Sequence, residues 1–228
     1  MSLDSSALLA LQNAAIGDSF ELLCFLRNAG YLAAHYVDSL ALWWPNAGSF
    51  EVIVGAILVQ NAQWERAKLA LANLYERDLL DVVHIASLAP EVLQSLIAPA
   101  GLYRKKSLVL QQLCAAIARD FGDFETMREL CTREWLLCQK GIGQESADSI
   151  LCYALLREEM VADRYAYKIL RLLGYTFEGY AEIKEWLVHG IYANREKALA
   201  LYGSGASLQR VFARFHGKID EFAKENRL

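Results

Sequence analysis

Leu136–Leu151 reads "LLCQKGIGQESADSIL", two helix-compatible arms joined by Gly141-Ile142-Gly143. The joint admits two readings. Glycine ends many helices because it tolerates the left-handed conformation of a C-terminal cap, which makes the motif a plain turn. Alternatively, backbone N–H groups at the start of the second arm face an anion such as a phosphate, and the glycines let that anion approach. A dinucleotide-binding loop is excluded, because it would follow a strand and carry a third glycine where Ser146 stands.

Outward from the joint, the chain reads as nearly all helix. Its only prolines are Pro45, Pro90 and Pro99, and Ala and Leu dominate between them. "FEVIVGAILVQNAQWERAKLALANLYE" from Phe50 carries helical periodicity, with Val54, Ile57, Leu58 and Asn61 on one face. Pro90 opens a helix that Ala98-Pro99-Ala100-Gly101 stops, and "RKKSLVLQQLCAAIARDF" is closed by Gly122. Asp163 caps "RYAYKILRLLG", and "YAEIKEWLVHGIY" and "SLQRVFARFHGKIDEFAK" follow. No repeat or linker divides the 228 residues, so any division into domains is a matter of packing.

A hydrophobic content of 55% supports a packed core. The first basic residue is Arg27, which argues against a signal peptide, and no apolar run approaches the ~18 residues of a membrane span; the expectation is a cytoplasmic protein. Five cysteines (Cys24, Cys114, Cys131, Cys138, Cys152) fit buried structural thiols, since their spacing matches no common zinc pattern. A net charge of −4 excludes an all-over nucleic-acid coat but permits a local basic face, for which Arg104–Lys106, Lys140, Lys168, Arg171, Arg210, Arg214 and Lys218 are candidates.

"GIGQESADSIL" followed by "VADRYAYKILRLLG" resembles the helix-hairpin-helix and catalytic aspartate of the endonuclease III superfamily of DNA glycosylases, whose pattern runs L-P-G-V-G-x-K-T-A and then V-D-T-H-V-x-R. "FEVIVGAILVQNAQW" and "GLYRKKS" resemble further segments of that family in the same order. "WWPN" at Trp43–Asn46 and "VFARFHGKI" near the C-terminus are similar to a bacterial branch of 3-methyladenine DNA glycosylases. The resemblance implies an all-α fold of two helical domains with the active-site cleft between them. A six-helix barrel-like domain near 50–155 would carry the hairpin, and 1–49 with 156–228 would form the second.

The resemblance also distributes roles. Asp163 is the implied catalytic anion, able to steady the oxocarbenium charge of the sugar and to activate water, although an N-cap is its plain alternative. Trp44, Pro45 and Trp64 are the implied base-binding residues, because an electron-rich ring attracts a cationic alkylated base. Trp43, Trp135 and Trp186 read as core. Lys218 matches a pocket-facing lysine, which beside a cationic base is expected to be neutral, modified or turned to the backbone. Gln60 or Asn61 fills the gap left by a flipped nucleotide, the choice between them being open, and Lys140, Gly141, Gly143 and Ser146 meet DNA.

Departures from the family pattern carry information. Gln139-Lys140 replaces Leu-Pro at the hairpin entry. Glu145, 18 residues before Asp163, stands where members that also cut the backbone have lysine, and a carboxylate forms no Schiff base. No cysteine lies between Tyr153 and Leu228, so no iron–sulfur cluster is expected; the implied reaction needs no metal or cofactor, while the resemblance leaves open a monovalent cation on the hairpin carbonyls. The implied function is monofunctional excision of alkylated purines, chiefly 3-methyladenine, from double-stranded DNA by a monomer. Its rivals are excision of a mispaired or deaminated base, a non-catalytic hairpin module, and an unrelated helical protein with a fortuitous hairpin.

Overall fold

The computed structural model describes residues 5–32 and 42–228; parts of the N-terminal stretch assigned above to the second domain, 1–4 and 33–41, lie outside the described residues. Fourteen α-helices and no strand occur among the described residues. The chain divides into two units, one of Met1–Pro45 with Arg157–Leu228 and one of Asn46–Leu156.

The first unit opens with α1 (Ser5–Asn13) and α2 (Ser19–Asn28). Asp18 starts α2 by accepting the Glu21 N–H, one of the donors a helix start leaves without an intrahelical partner.

The second unit follows as α3 (Phe50–Leu58), α4 (Trp64–Tyr75), α5 (Val82–Ser87), α6 (Pro90–Ile97), α7 (Tyr103–Asp120), α8 (Phe124–Leu130), α9 (Arg133–Leu137) and α10 (Gln144–Ser149). α3 is apolar all round and buried along almost its whole length. The helical pattern that starts at Phe50 is carried by two helices, α3 and α4. At Asn61 the backbone turns left-handed (φ 51°), which removes Asn61 from the face shared by Val54, Ile57 and Leu58. The periodicity of the two halves hides this break, because Asn tolerates positive φ without a glycine or proline to announce it. After α6 a short 3₁₀ turn, Ala98–Ala100, leads to Gly101 at φ 67° and into α7. Beyond α10 the helix widens into a π turn, Ile150–Ala154, closed by the Leu155 N–H on the Ile150 carbonyl. The Tyr153 carbonyl then accepts the Gly48 N–H at 2.7 Å and fixes the start of the unit to its end.

The chain returns to the first unit with α11 (Arg164–Leu172), α12 (Tyr180–Ala193), α13 (Arg195–Ala200) and α14 (Leu208–Glu225). Leu22, Leu26, Ile169, Leu187, Phe212, Phe215, Ile219 and Phe222 form its core, with α14 at the centre. A central helix in a globule is normally apolar all round. α14 instead buries Arg214, His216, Lys218 and Asp220 in one stretch. Such burial is costly unless each group is paired, so these residues need partners that the sequence does not name.

Candidate functional site

Asp163 is the residue before α11 and caps it. One carboxylate oxygen, Oδ1, accepts the N–H groups of Tyr165 at 3.0 Å and Ala166 at 2.9 Å. The other, Oδ2, faces His216 Nε2 of α14 at 3.8 Å, close enough for charge attraction but too far for a good hydrogen bond. The N-cap and the reactive-carboxylate readings are therefore compatible, one oxygen serving each. Burial works to push the Asp163 pKa up, since the residue is only 8% exposed. The His216 contact and the two backbone donors outweigh that, leaving the carboxyl below its ordinary value.

His216 has its own support. Its ring meets Trp43 edge-on, with centroids 5.1 Å apart and planes at 86°, and Trp43 in turn meets Trp44 at 5.9 Å. Gly217 makes this possible, because a Cβ there would lie 2.4 Å from Trp43 Cγ. The tryptophan burial differs from the expectation: Trp44 is buried, whereas Trp43, Trp135 and Trp186, read as core, are only half-buried. Trp43 spends its faces on His216 and on Lys224, whose Nζ lies 5.6 Å from its ring centroid. Pro45 is exposed.

Lys218 lies on α14 one turn after Arg214 and is 2% exposed. Its Nζ donates to the Tyr31 carbonyl, so of the three states expected for it the structure shows the turn to the backbone. Burial first, and the Arg214 charge second, bring its pKa down to about 8. Arg214 donates to the neighbouring Leu32 carbonyl at 3.0 Å.

The Gly141–Gly143 hairpin belongs to the other unit, with Gln60, Asn61, Trp64, Lys140 and Ser146. Gly141 adopts φ 86°, and a Cβ there would meet Val109 Cγ2 at 2.6 Å, so both conformation and contact demand glycine. Gly143 differs. Its φ of −92° suits any residue, and a Cβ would meet nothing within 4 Å. It starts α10 with no side chain capping that helix. The hairpin entry is fixed without a proline, because Gln139 Nε2 bonds back to the Trp135 carbonyl at 2.9 Å. Arg133 grips the buried Asp148 through Nε at 2.6 Å and Nη2 at 3.3 Å, tying α9 to α10.

Gln60 and Asn61 are separated by their contacts. Gln60 Nε2 donates to the Gly141 carbonyl at 3.1 Å and to the Ser146 hydroxyl at 2.9 Å, so both Gln60 and Ser146 are engaged in bracing the hairpin. Asn61 is exposed at the tip of the turn, and Lys140 is exposed on the hairpin. Trp64 is half-buried at the first position of α4. Beneath the turn, buried Lys106 donates to the carbonyls of Leu58 and Ala100, both at 2.8 Å, which closes the end of α3. The cysteines are all free thiols, three buried; Cys138, read as structural, is exposed.

With this geometry in hand, residues 54–221 match the family described as HhH-GPD superfamily base excision DNA repair protein, which spans more than half the chain. The chain belongs to this superfamily. The HhH-GPD chain is similar to the H. pylori 3-methyladenine DNA glycosylase (MagIII) in its structure bound to 1,N6-ethenoadenine, at 42% identity and TM-score 0.86 over 92% of this chain and 99% of that one. A Methanocaldococcus jannaschii protein provisionally named a DNA repair glycosylase is 41% identical over 63% of this chain and 68% of its own length. A trapped endonuclease III–DNA covalent intermediate shares the fold at 16% identity, with TM-score 0.68 over 92% of this chain and 87% of that one. The protein is thus a DNA repair glycosylase of the HhH-GPD type.

Within this HhH-GPD chain, the sequence reading passed over His216 and the Arg133–Asp148 pair and took Trp43 for core. A signal for His216 existed. Polar residues at 214, 216, 218 and 220 point around an α-helix in several directions, which no single solvated face can satisfy. Among the described residues no group of three or more His, Cys, Asp or Glu is arranged to hold a metal.

Proposed function

We propose that the protein is a monofunctional DNA glycosylase that removes alkylated purines, chiefly 3-methyladenine, from double-stranded DNA. The observation that carries the reading is the Asp163 carboxylate, held ionised with one oxygen fixed by the start of α11 and the other left for chemistry. N3-alkylated adenine is already cationic and leaves readily, so the reaction needs little general-acid help. It needs an anion beside the developing oxocarbenium ion and a positioned water, and Oδ2 supplies the one and orients the other. The likeness to a 3-methyladenine glycosylase supports the substrate class.

In this reading Trp64, which keeps exposed surface, stacks on the extruded base, and Trp44 and Pro45 are further base-binding residues. Lys218, drawn to the Tyr31 carbonyl, puts its charge on the backbone and not on the base. Asn61 enters the gap in the duplex, because Gln60 is engaged with the hairpin. Lys140 and the first N–H groups of α10 past Gly143 hold a phosphate. Glu145 in place of a lysine nucleophile removes lyase chemistry.

The test is release of labelled bases from methylated duplex DNA, beside duplexes carrying deaminated or mispaired bases, with borohydride added to trap any Schiff base. Release of 3-methyladenine with no trapped adduct is the expected result. Preferential release of another lesion would move the substrate, and stoichiometric binding without release would make the chain a binding module.

A further inference from the structure

Asp163 Oδ2 is the oxygen that the N-cap leaves over, and the ring that faces it comes from the middle of the core helix of its unit. On α14 the residues at 216, 220 and 224 follow one another at intervals of one helical turn and so share a face. Asp220 is buried and pairs with Lys224 Nζ at 2.6 Å, while Lys224 is half-exposed and lies over Trp43. The result is a row in which Asp163, His216, Asp220 and Lys224 succeed one another from a buried carboxylate to the surface, with the Trp43 ring against both His216 and Lys224. The apolar contacts of α14 with its core are made by Phe212, Phe215, Ile219 and Phe222. Buried charges add little net stability over apolar residues of similar volume, so this row points to a role besides packing.

We infer that His216 is a positioning residue for Asp163: it holds the Oδ2 atom in place and ionised through a contact long enough to leave the lone pairs of that oxygen open to water. The edge-on contact with Trp43 fixes the ring plane, and the Asp220–Lys224 pair sets the charge behind it. The groups acting on Asp163 are His216 and the backbone donors of Tyr165 and Ala166, and Asp163 in turn acts on Asp220, whose own carboxyl is pushed up by burial. Arg164 and Lys168 of α11 are exposed. The inference rests on the glycosylase reading of Asp163 and adds to it a residue that sets the acid side of the pH profile.

Its test pairs two measurements on the full-length protein, wild type beside His216→Gln. One is base release from methylated DNA across a pH series, separated into kcat and KM; the other is the titration of the Asp163 carboxyl carbon by NMR in DNA-free protein. Without the imidazole, burial acts unopposed by it, so the Asp163 titration and the acid limb of kcat both move to higher pH. On the acid side of the wild-type profile kcat falls with KM unchanged, well short of the loss from removing Asp163 itself. An unshifted Asp163 titration in the folded variant overturns the inference. Because the titration needs no DNA, a shifted titration with no base release from the wild type would instead discard the glycosylase reading and leave the His216–Asp163 coupling standing. Should His216→Gln fail to fold, Lys224→Met at the exposed end of the row is read in the same way: a smaller shift in the same direction supports the inference, and no shift overturns it.

Discussion

Under the proposed function Asp163 combines two jobs that usually fall to different residues. As an N-cap it accepts two backbone N–H groups through Oδ1, a function that asparagine performs nearly as well through its own side-chain oxygen. Charge at Oδ2 is the part that asparagine lacks. Asp163→Asn is therefore expected to unfold at the same temperature as the wild type and to lose on the order of 10²–10⁴ in excision rate, checked by thermal melts and single-turnover assays. Lys218 is shifted downward too, and for a base that favours the neutral form. Between about 8 and its ordinary value of 10.5 the unfolded chain keeps the Lys218 proton and the folded protein sheds it. This one group therefore lets the folded state gain stability as pH rises through that window. NMR of the Lys218 side chain should show a midpoint near the lower value, and Lys218→Met should abolish the alkaline gain in melting temperature.

At the scale of elements, the hairpin separates glycines that the fold requires from one it does not. Gly141→Ala forces a Cβ onto Val109 in a left-handed backbone and is expected to cost about 1–3 kcal/mol of stability, measurable by denaturant unfolding. Gly143→Ala meets open space at an ordinary φ. Its stability should stay within about 0.5 kcal/mol of the wild type while affinity for duplex DNA falls, because the added methyl stands where a phosphate would approach. The turn after α3 gives a second contrast. Gln60→Ala removes both bonds to the hairpin and should lower stability by about 1 kcal/mol per bond, together with DNA affinity. Asn61→Ala should leave the melting temperature unchanged and reduce excision, and a wild-type rate in that variant would take the wedge role away from Asn61.

For the molecule as a whole, a net charge of −4 means that affinity for DNA rests on a few local contacts and not on a general field. The logarithm of the association constant should fall with the logarithm of salt by about 0.9 per phosphate neutralised, and Lys140→Gln should make that slope shallower by about one contact. Sequence alone determined the all-α character, the glycine joint between two helices, the cap at Asp163 and the absence of a lysine at Glu145, because propensity, capping and motif spacing act over a few residues. Periodicity alone carries Asn61 on the face of Val54, Ile57 and Leu58, since positive φ at asparagine leaves no mark in it. Tertiary structure decided that His216 faces Asp163, that Lys218 reaches Tyr31, and that Gln60 braces Gly141 and Ser146. Those pairings join residues 53, 187 and more than 80 positions apart. A buried charge takes whichever partner the folded chain brings within reach, and no local property of the chain encodes which one that is.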